Sequence, residues 1–268
     1  MKRMLVLLVT ILTGVGSADV FYLQSNMPPN STPNDKTLWY DAPAGGQTQD
    51  ALAAPATGNR FDVNGFELRA PGTSKSSIFN GTLVVGEAGA GICLLYAAEW
   101  NLVGGMDVNN ELLMRLHLPA VKISVSRLML GPSGKLIFRT LKDDKNQLDL
   151  SVADLTGDGT IQFGITSYAN DVNGVWNLSL PMIAFDFSGR IELHRGCLTF
   201  NTSSSLNKAT LMINPVENNH IELTQDMSFG EVLVGVRPLK AGVYTASELN
   251  KQFHEKRFSG KGTITVVQ

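Results

Sequence analysis

A pair of neighbouring carboxylates is the first feature of the sequence that could perform a reaction. Asp143 and Asp144 lie in a short charged stretch, Lys-Asp-Asp-Lys-Asn. In glycosidases, two carboxyl groups that flank the glycosidic bond act as general acid and as base or nucleophile. Neighbouring residues of a strand point to opposite faces of a sheet, so both groups could serve one site only from a bend. The sequence favours a solvated loop between two strands.

A second acidic stretch has part of the spacing of a calcium loop. Asp154, Thr156 and Asp158 match the first three ligand positions, and Gly159 falls at the sharp turn. A complete loop needs a bidentate glutamate at its twelfth position, where this chain has Ile165. Asp and Gly are also the residues that tight turns prefer. The pattern therefore predicts a turn, and Asp154 is kept as a catalytic candidate.

Basic and imidazole side chains give no stronger signal for catalysis. Polysaccharide lyases need a lysine or arginine base beside a calcium-bound uronate, but Lys122, Arg127 and Arg139 have no acidic cluster near them in the sequence. The histidines occur singly, without the i, i+2 or i, i+4 spacing of a metal pair. The motifs of nucleotide-binding proteins and serine hydrolases are missing as well. We therefore expect no metal and no cofactor.

Aromatic side chains are the candidates for contact with a sugar. Trp100, Trp176 and Tyr168 could each present a ring to a ligand on the outer surface. Such rings supply a large apolar area together with a polar group, which suits a binding surface. Rings of this kind also fill protein cores, and the sequence leaves both alternatives open.

Two cysteines, Cys93 and Cys197, lie inside apolar segments. An oxidising compartment would permit a disulfide between them. The sequence favours free thiols that act as small apolar side chains in the core. Neither cysteine lies at a predicted helix N-terminus, so a catalytic thiol is not expected.

Composition limits the classes of function and of fold. The chain has 268 residues, a formal net charge of −2, 17% charged residues and 26 glycines. Because there is no basic excess to neutralise phosphates, nucleic acid is not an expected partner. The length and the turn-rich composition suit one all-β domain.

Residues 1–18 predict an export signal. Lys2 and Arg3 supply the positive start, residues 4–12 are apolar, and Gly-Ser-Ala at 16–18 forms a small-residue cleavage site. The apolar run is shorter than the about 20 residues that span a bilayer. No second run of that length follows, so we expect an exported protein, extracellular or on the cell surface, without a membrane span in the mature chain.

Short apolar segments, separated by Gly, Asn, Asp or Ser, recur from residue 60 onward. Clear examples are residues 82–85, 128–130 and 160–163. A hairpin-built barrel would need strands of roughly ten residues and regular two-residue turns. These segments are shorter and their turns are irregular, so the pattern predicts a parallel solenoid whose coils stack strand on strand. A recurring phrase of glycine, a polar residue and Leu or Ile begins at Gly81, Gly159, Gly189 and Gly262.

The two ends of the predicted stack have signals of their own. Residues 19–59 are rich in Pro, Ser, Thr and Gly, and predict an extended, poorly packed lead-in to a β-helix domain at residues 60–268. Within the lead-in, Trp39 is expected to cover the first coil, because an open sheet edge needs protection. Residues 244–253 predict a helix with Thr245 as its cap and Glu248 three residues later. This helix and a final strand should close the C-terminal end.

Both ends of the predicted domain resemble parts of known secreted proteins. Residues 64–71, Asn-Gly-Phe-Glu-Leu-Arg-Ala-Pro, and 78–85, Ile-Phe-Asn-Gly-Thr-Leu-Val-Val, resemble the opening of secreted bacterial right-handed β-helix proteins. Residues 241–250 and 258–266 resemble the close of proteins with autotransporter-associated β-strand repeats. The resemblance implies an all-β, single-stranded right-handed parallel β-helix outside the cell. It carries no catalytic residue onto this chain.

Polysaccharide-degrading β-helix enzymes add one comparison. They combine an Asp-Asp pair with a His-Gly and an Arg-x-Lys element. His194-Arg195-Gly196 is the nearest match to the His-Gly element, and no convincing third element is present. His194 therefore joins Asp143, Asp144 and Asp154 as a catalytic candidate.

Two hypotheses about function follow. The first is an exported, non-enzymatic β-solenoid that acts as a structural, adhesive or glycan-contacting module, with a glycan or a cell-envelope component as partner. The second is a carbohydrate-active enzyme, either a glycosidase or a polysaccharide lyase. Two carboxyl groups within about 5–10 Å in an open groove would favour the enzyme. Dispersed acids beside an aromatic strip would favour binding.

Overall fold

The computed structural model describes most of the chain after residue 18. Some of the residues predicted above lie outside the described part, namely the export signal at 1–18, the pair Asp143 and Asp144, and Tyr168. The described residues are 19–29, 31, 33, 35–45, 47–48, 58–70, 76–86, 89–140, 146–165, 174–184, 186–216, 218–254 and 256–267.

The chain forms a β-solenoid whose coils are built from three sheets. Sheet A contains β1 (Val20–Leu23), β2 (Trp39–Tyr40), β3 (Arg60–Asp62), β6 (Thr82–Val85), β9 (Met106–Val108), β12 (Leu128–Leu130) and β15 (Leu155–Gly157). Sheet B contains β4 (Glu67–Ala70), β7 (Gly91–Leu95), β10 (Glu111–Leu116), β13 (Lys135–Thr140), β16 (Thr160–Phe163), β18 (Arg190–Leu193), β20 (Ser204–Ile213), β22 (Met227–Val234), β23 (Arg237–Pro238), β24 (Gly242–Thr245) and β26 (Thr263–Val266). Sheet C contains β5 (Ser76–Phe79), β8 (Glu99–Leu102), β11 (Ala120–Val125), β14 (Gln147–Val152), β17 (Val175–Ser179), β19 (Cys197–Phe200), β21 (His220–Leu223) and β25 (Phe258–Gly260).

Successive strands visit the three sheets in rotation. From β3 to β17 the order is A, B, C without exception, and from β6 onward each of these strands pairs in parallel with the strand one coil earlier. Toward the C-terminus, β20 and β22 are longer, and their mutual register shifts between Leu206 and Thr210. The predicted all-β parallel solenoid is confirmed by this pairing.

Alternate side chains fill the interior of the coils. In β11, for example, Val121, Ile123 and Val125 are buried, whereas Lys122 and Ser124 are exposed on the outer face. This period of two is what a strand with one face on the core requires. Burial of the inward side chains in one continuous cluster supplies the hydrophobic driving force for stacking the coils.

Glycines make the corner before sheet B narrow enough for stacking. Gly134, Gly159 and Gly189 precede β13, β16 and β18 in three successive coils. A Cβ at Gly159 would lie 2.3 Å from the carbonyl oxygen of Gly134, and one at Gly189 would lie 2.0 Å from that of Gly159. Only a residue without a side chain fits so close to another backbone. At Gly159 and Gly189, the recurring sequence of glycine, a polar residue and Leu or Ile therefore marks a corner between two strands.

The N-terminal end is more closely packed than the sequence predicts. Strand β1 pairs in parallel with β3 as a further layer of sheet A, and β2 turns back antiparallel on β1. Trp39 is buried, with its ring centroid 5.1 Å from that of Phe61, so the prediction that it covers the first coil is confirmed. Phe21 and Met27 are also buried. The expectation of a poorly packed lead-in is wrong for these residues, because the open end of the core needs apolar cover.

The C-terminal end is closed by a helix and an antiparallel strand. Helix α1 (Ala246–Phe253) begins after Thr245, whose side chain accepts a hydrogen bond from the Glu248 amide, while the Glu248 carboxylate accepts one from the Thr245 amide. The predicted helix and capping box are confirmed. Strand β24 pairs antiparallel with β26, the last strand. Leu249 and Phe253 are buried against the stack.

Both cysteines are free thiols. Cys93 is buried in sheet B, and Cys197 is half-buried in sheet C. Burial, followed by the nearby Glu222 carboxylate, raises the pKa of Cys197 above its ordinary value. The prediction of free thiols is confirmed, although Cys197 is less buried than expected.

Candidate functional site

The outer face of sheet C carries a straight row of polar side chains. Consecutive strands pair so that these residues are direct neighbours, about 4.8 Å apart as in any parallel sheet. We call them the central row. In order along the stack they are Ser76, Glu99, Lys122, Asp149, Asn177, Thr199, Glu222 and Ser259.

A second row of mostly small polar residues runs beside the central row. Ser124 and Ser151 are direct neighbours on β11 and β14, and both are exposed. Because side chains two residues apart share one face of a strand, this side row faces the same solvent as the central row. The side row consists of Ile78, Asn101, Ser124, Ser151 and Ser179.

Two shallow depressions adjoin one another on this face and share Ser124 and Ser151. The first, of about 400 Å³, has an apolar lining in which Ile78 is 52% and Val103 is 49% exposed. The second, of about 310 Å³, has a more polar lining, to which Asp149 belongs. Apolar surface beside fixed polar groups is the usual composition of a ligand site.

Hydrogen bonds hold the Asp149 carboxylate in place. Its Oδ1 accepts one hydrogen bond from Gln147 Nε2 at 3.0 Å and another from Asn177 Nδ2 at 2.6 Å. Lys122 is its neighbour on the other side in the central row. The fixed carboxylate is therefore suited to accept a hydrogen bond from a ligand hydroxyl group.

The row also brings together charges that are far apart in the sequence. Lys122 lies between Glu99 and Asp149, its direct partners on β8 and β14. The sequence gives no sign of acids near Lys122, because the two partners are 23 and 27 residues away. Within the described residues, no three His, Cys, Asp or Glu side chains converge as a metal site would require. The arrangement is a charged surface without the calcium cluster of a lyase.

The catalytic candidates that the structure describes do not come together. Asp154 is exposed and precedes β15 at the corner between sheets C and A. His194 follows β18 at the corner between sheets B and C, where its Nε2 lies 2.9 Å from Glu192 Oε2. The two residues are thus at opposite ends of the sheet C strands. The active-site hypothesis gains no support from this pair.

Glu192 is the hydrogen-bond partner of His194. Burial by itself would raise the pKa of Glu192, but the hydrogen bond with His194 and the positive charges of His194, Lys135 and Arg190 lower it below its ordinary value. A carboxyl group with a lowered pKa stays ionised at neutral pH and is a poor general acid. The pair is therefore a structural contact on the outer face of sheet B.

The tryptophans proposed as sugar platforms lie in the core. Trp100 is 0% exposed and Trp176 is 1% exposed, because both occupy inward positions of their strands. Trp176 Nε1 donates a hydrogen bond to the carbonyl oxygen of Arg195 at 2.8 Å. Neither ring presents a face to a ligand, so the platform hypothesis is corrected for these two residues. The third candidate, Tyr168, lies outside the described residues.

Comparisons of the chain with protein-family models, with curated proteins and with solved structures gave no match. The fold is therefore established by the strand pairing alone. The resemblance to proteins with autotransporter-associated repeats, and a bacterial origin, have no related sequence behind them. Among the described segments, none forms a helix of the length and hydrophobicity that crossing a membrane needs.

Proposed function

We propose that this chain is an exported, non-enzymatic β-solenoid that contacts a glycan of the cell surface or cell envelope through the outer face of sheet C. The observation that carries the proposal is the pair of in-register polar rows beside an apolar depression. Sugars present hydroxyl groups at their edges and C–H groups on their ring faces, and this face offers partners for both. The proposal keeps the expected localisation outside the cell.

The regular spacing of the rows favours a polymeric ligand over a single sugar. In the side row, four successive strands present Asn101, Ser124, Ser151 and Ser179, about 4.8 Å apart, so a similar hydrogen bond can be repeated along a chain. Weak contacts that are repeated in this way combine into a useful affinity. The serine and asparagine side chains of the side row give hydrogen bonds without fixed charge, and in the central row Lys122 lies between the carboxylates of Glu99 and Asp149, so the face carries both signs of charge and suits a neutral polysaccharide.

The experiment is a binding survey with a steric variant. Ser124→Arg would place a long side chain where the two depressions meet, and Thr156→Arg would place the same side chain on the outer face of sheet A. Soluble xylan, amylose and a cello-oligosaccharide are suitable neutral probes for titration calorimetry. We expect Ser124→Arg to lose binding and Thr156→Arg to retain it. Failure of every neutral glycan to bind the wild-type chain would refute the proposal.

The alternative function is a carbohydrate-active enzyme on the same face. The observation in its favour is Lys122 with a carboxylate neighbour on each side, Glu99 and Asp149. Release of reducing ends, or of unsaturated uronate detected by its ultraviolet absorbance, would reveal hydrolysis or elimination. Product formation that Lys122→Ala abolishes would establish the enzyme, and binding without product would support the module.

A further inference from the structure

Sheet B carries a file of arginines on its outer face that sequence reasoning does not reveal. Arg69 and Arg115 both pair with Leu94, and Arg115 is also the direct partner of Arg139. Arg195 continues the file. A Cβ added to Gly164, the residue after β16, would lie 2.7 Å from the Cβ of Arg195. We call Arg69, Arg115, Arg139 and Arg195 the arginine row.

The row concentrates positive charge in a chain whose formal net charge is −2. Arg115 and Arg139 are neighbours on adjacent strands, about 4.8 Å apart at their backbones, and like charges directly opposite one another destabilise a sheet. Arg69 is balanced by Glu67, whose Oε1 lies 2.6 Å from Nη2. Arg139 and Arg195 each have a further interaction within the protein. In the part of the chain that the structure describes, Arg115 makes no hydrogen bond or ion pair.

Several nitrogen atoms around Arg115 are buried and unsatisfied. Within the described residues these include Nε of Arg69 and Arg115, and Nε2 of His117. A buried donor without an acceptor costs free energy, and an acceptor group of a ligand would remove that cost. The His117 ring stacks on the Tyr96 ring, with 4.2 Å between the ring centroids. The two stacked rings follow β10 and β7, next to the arginine row. Burial first, then the charges of Arg115 and Arg69, lower the pKa of His117, while the Glu67 carboxylate acts in the opposite direction.

The arginines of the row lie beside apolar residues on the same face of sheet B, and their side chains are partly buried, with that of Arg69 25% exposed. Leu94, between Arg69 and Arg115, is only 6% exposed, and Ile137, in the adjacent row, is 5% exposed. A partly buried side chain loses less entropy when its charged group binds. The planar guanidinium group matches a carboxylate or sulfate group with two parallel hydrogen bonds.

We propose that the arginine row binds an acidic polysaccharide through its repeated carboxylate or sulfate groups. This site is separate from the sheet C face and goes beyond the neutral glycan contact proposed there. Arginines on three of the four neighbouring strands β4, β7, β10 and β13 can contact several anionic groups of one chain at once, which favours a polymer over a single small anion. Nucleic acid is disfavoured, because the chain as a whole lacks the basic excess that phosphate binding requires.

The test compares two variants that lose the same charge. Arg115→Gln removes the central guanidinium group of the row, whereas Arg190→Gln removes an exposed one from another row of the same face. A heparin fragment, an oligogalacturonate and a neutral cello-oligosaccharide serve as probes in calorimetry at low salt. We expect Arg115→Gln to weaken acidic binding about tenfold, since a charged hydrogen bond is lost, and Arg190→Gln to change it less than about twofold. Arg115→Lys should give an intermediate loss, because it keeps the charge but not the two parallel hydrogen bonds.

Each outcome supports or overturns the proposal. The heparin fragment and the oligogalacturonate distinguish sulfate from carboxylate recognition. Equal losses in Arg115→Gln and Arg190→Gln would mean that net charge alone attracts the polymer, and would overturn a built site. The proposal would also be overturned if a DNA duplex bound more tightly than the acidic polysaccharides, or if neither acidic probe bound. Ser124→Arg should leave acidic binding unchanged, so that failure here is distinguishable from failure of the sheet C proposal. Matching thermal melts would show that the variants are folded.

Discussion

The stack of corner glycines leads to a sharp prediction about stability. In Gly189→Ala, the new Cβ would lie 2.0 Å from the Gly159 carbonyl oxygen, well inside the 3.4 Å at which ordinary contact begins. The same oxygen accepts the hydrogen bond of the Arg190 amide at 2.9 Å. The new Cβ therefore crowds the corner. Local separation of the two coils would relieve this crowding, but it would weaken a hydrogen bond between the sheet B strands.

The expected magnitude follows from three contributions. Crowding of a packed site costs about 1–3 kcal/mol. Weakening of one backbone hydrogen bond costs about 1 kcal/mol. Loss of chain freedom in the unfolded state returns about 0.4–1 kcal/mol, as for any Gly-to-Ala change. We expect Gly189→Ala to lower the free energy of unfolding by about 2–3 kcal/mol and Tm by about 4–10 °C, for a chain of this size.

Thermal melts followed by circular dichroism would measure the effect, with Gly89→Ala as the control. A Cβ at Gly89 meets only the Gly65 Cα, at 3.4 Å, and its backbone is not in the left-handed region. Gly89→Ala should therefore stay within about 0.5 kcal/mol of wild type. If both variants melted with the wild type, the close approach of carbonyl and Cα at this corner would be disproved.

Three further predictions concern charge and reactivity. Asp107 is 1% exposed, and its Oδ1 lies 2.8 Å from Arg127 Nη2. Asp107→Asn should therefore lower the free energy of unfolding, measured in urea, by about 2–3 kcal/mol. An unchanged midpoint of the urea unfolding curve would contradict this. Hydrogen bonds from the backbone and side chain of Thr245 lower the pKa of Glu248, so their stabilisation of the helix is present above the ordinary glutamate pKa and is lost as pH falls through the lowered value. Amide exchange in α1 measured against pH would show this loss. Because burial raises the pKa of Cys197, its alkylation at neutral pH should be slower than that of a model thiol, and a rapid reaction would refute the burial.

Local patterns in the sequence were enough to predict the strands and the ends. Residues 82–85 and 128–130 form strands with the predicted bounds, because a short apolar run between turn residues leaves few alternatives. Thr245 and Glu248 predict the helix for a similar reason, since a capping box is made by residues only three positions apart. What these features share is that their determining contacts lie within a few residues.

The candidate faces depend on register, which the sequence does not show. Glu99, Lys122, Asp149 and Asn177 form one row, yet they are separated by 23, 27 and 28 residues. The coils differ in length because loops at the corners differ, so no fixed period reveals the row. The sequence leaves core and surface open for Trp100 for a related reason, because which face of its strand turns inward depends on the neighbouring coils.

The antiparallel strands at the two ends have a consequence for how molecules behave at high concentration. A parallel coil offers its edge to the next coil, and an uncovered edge would recruit another molecule end to end. Here β2 and β24 reverse direction against the terminal parallel strands, so an incoming chain cannot continue the same hydrogen-bond pattern. Addition of another molecule through these two edges, one of sheet A and one of sheet B, is thereby disfavoured.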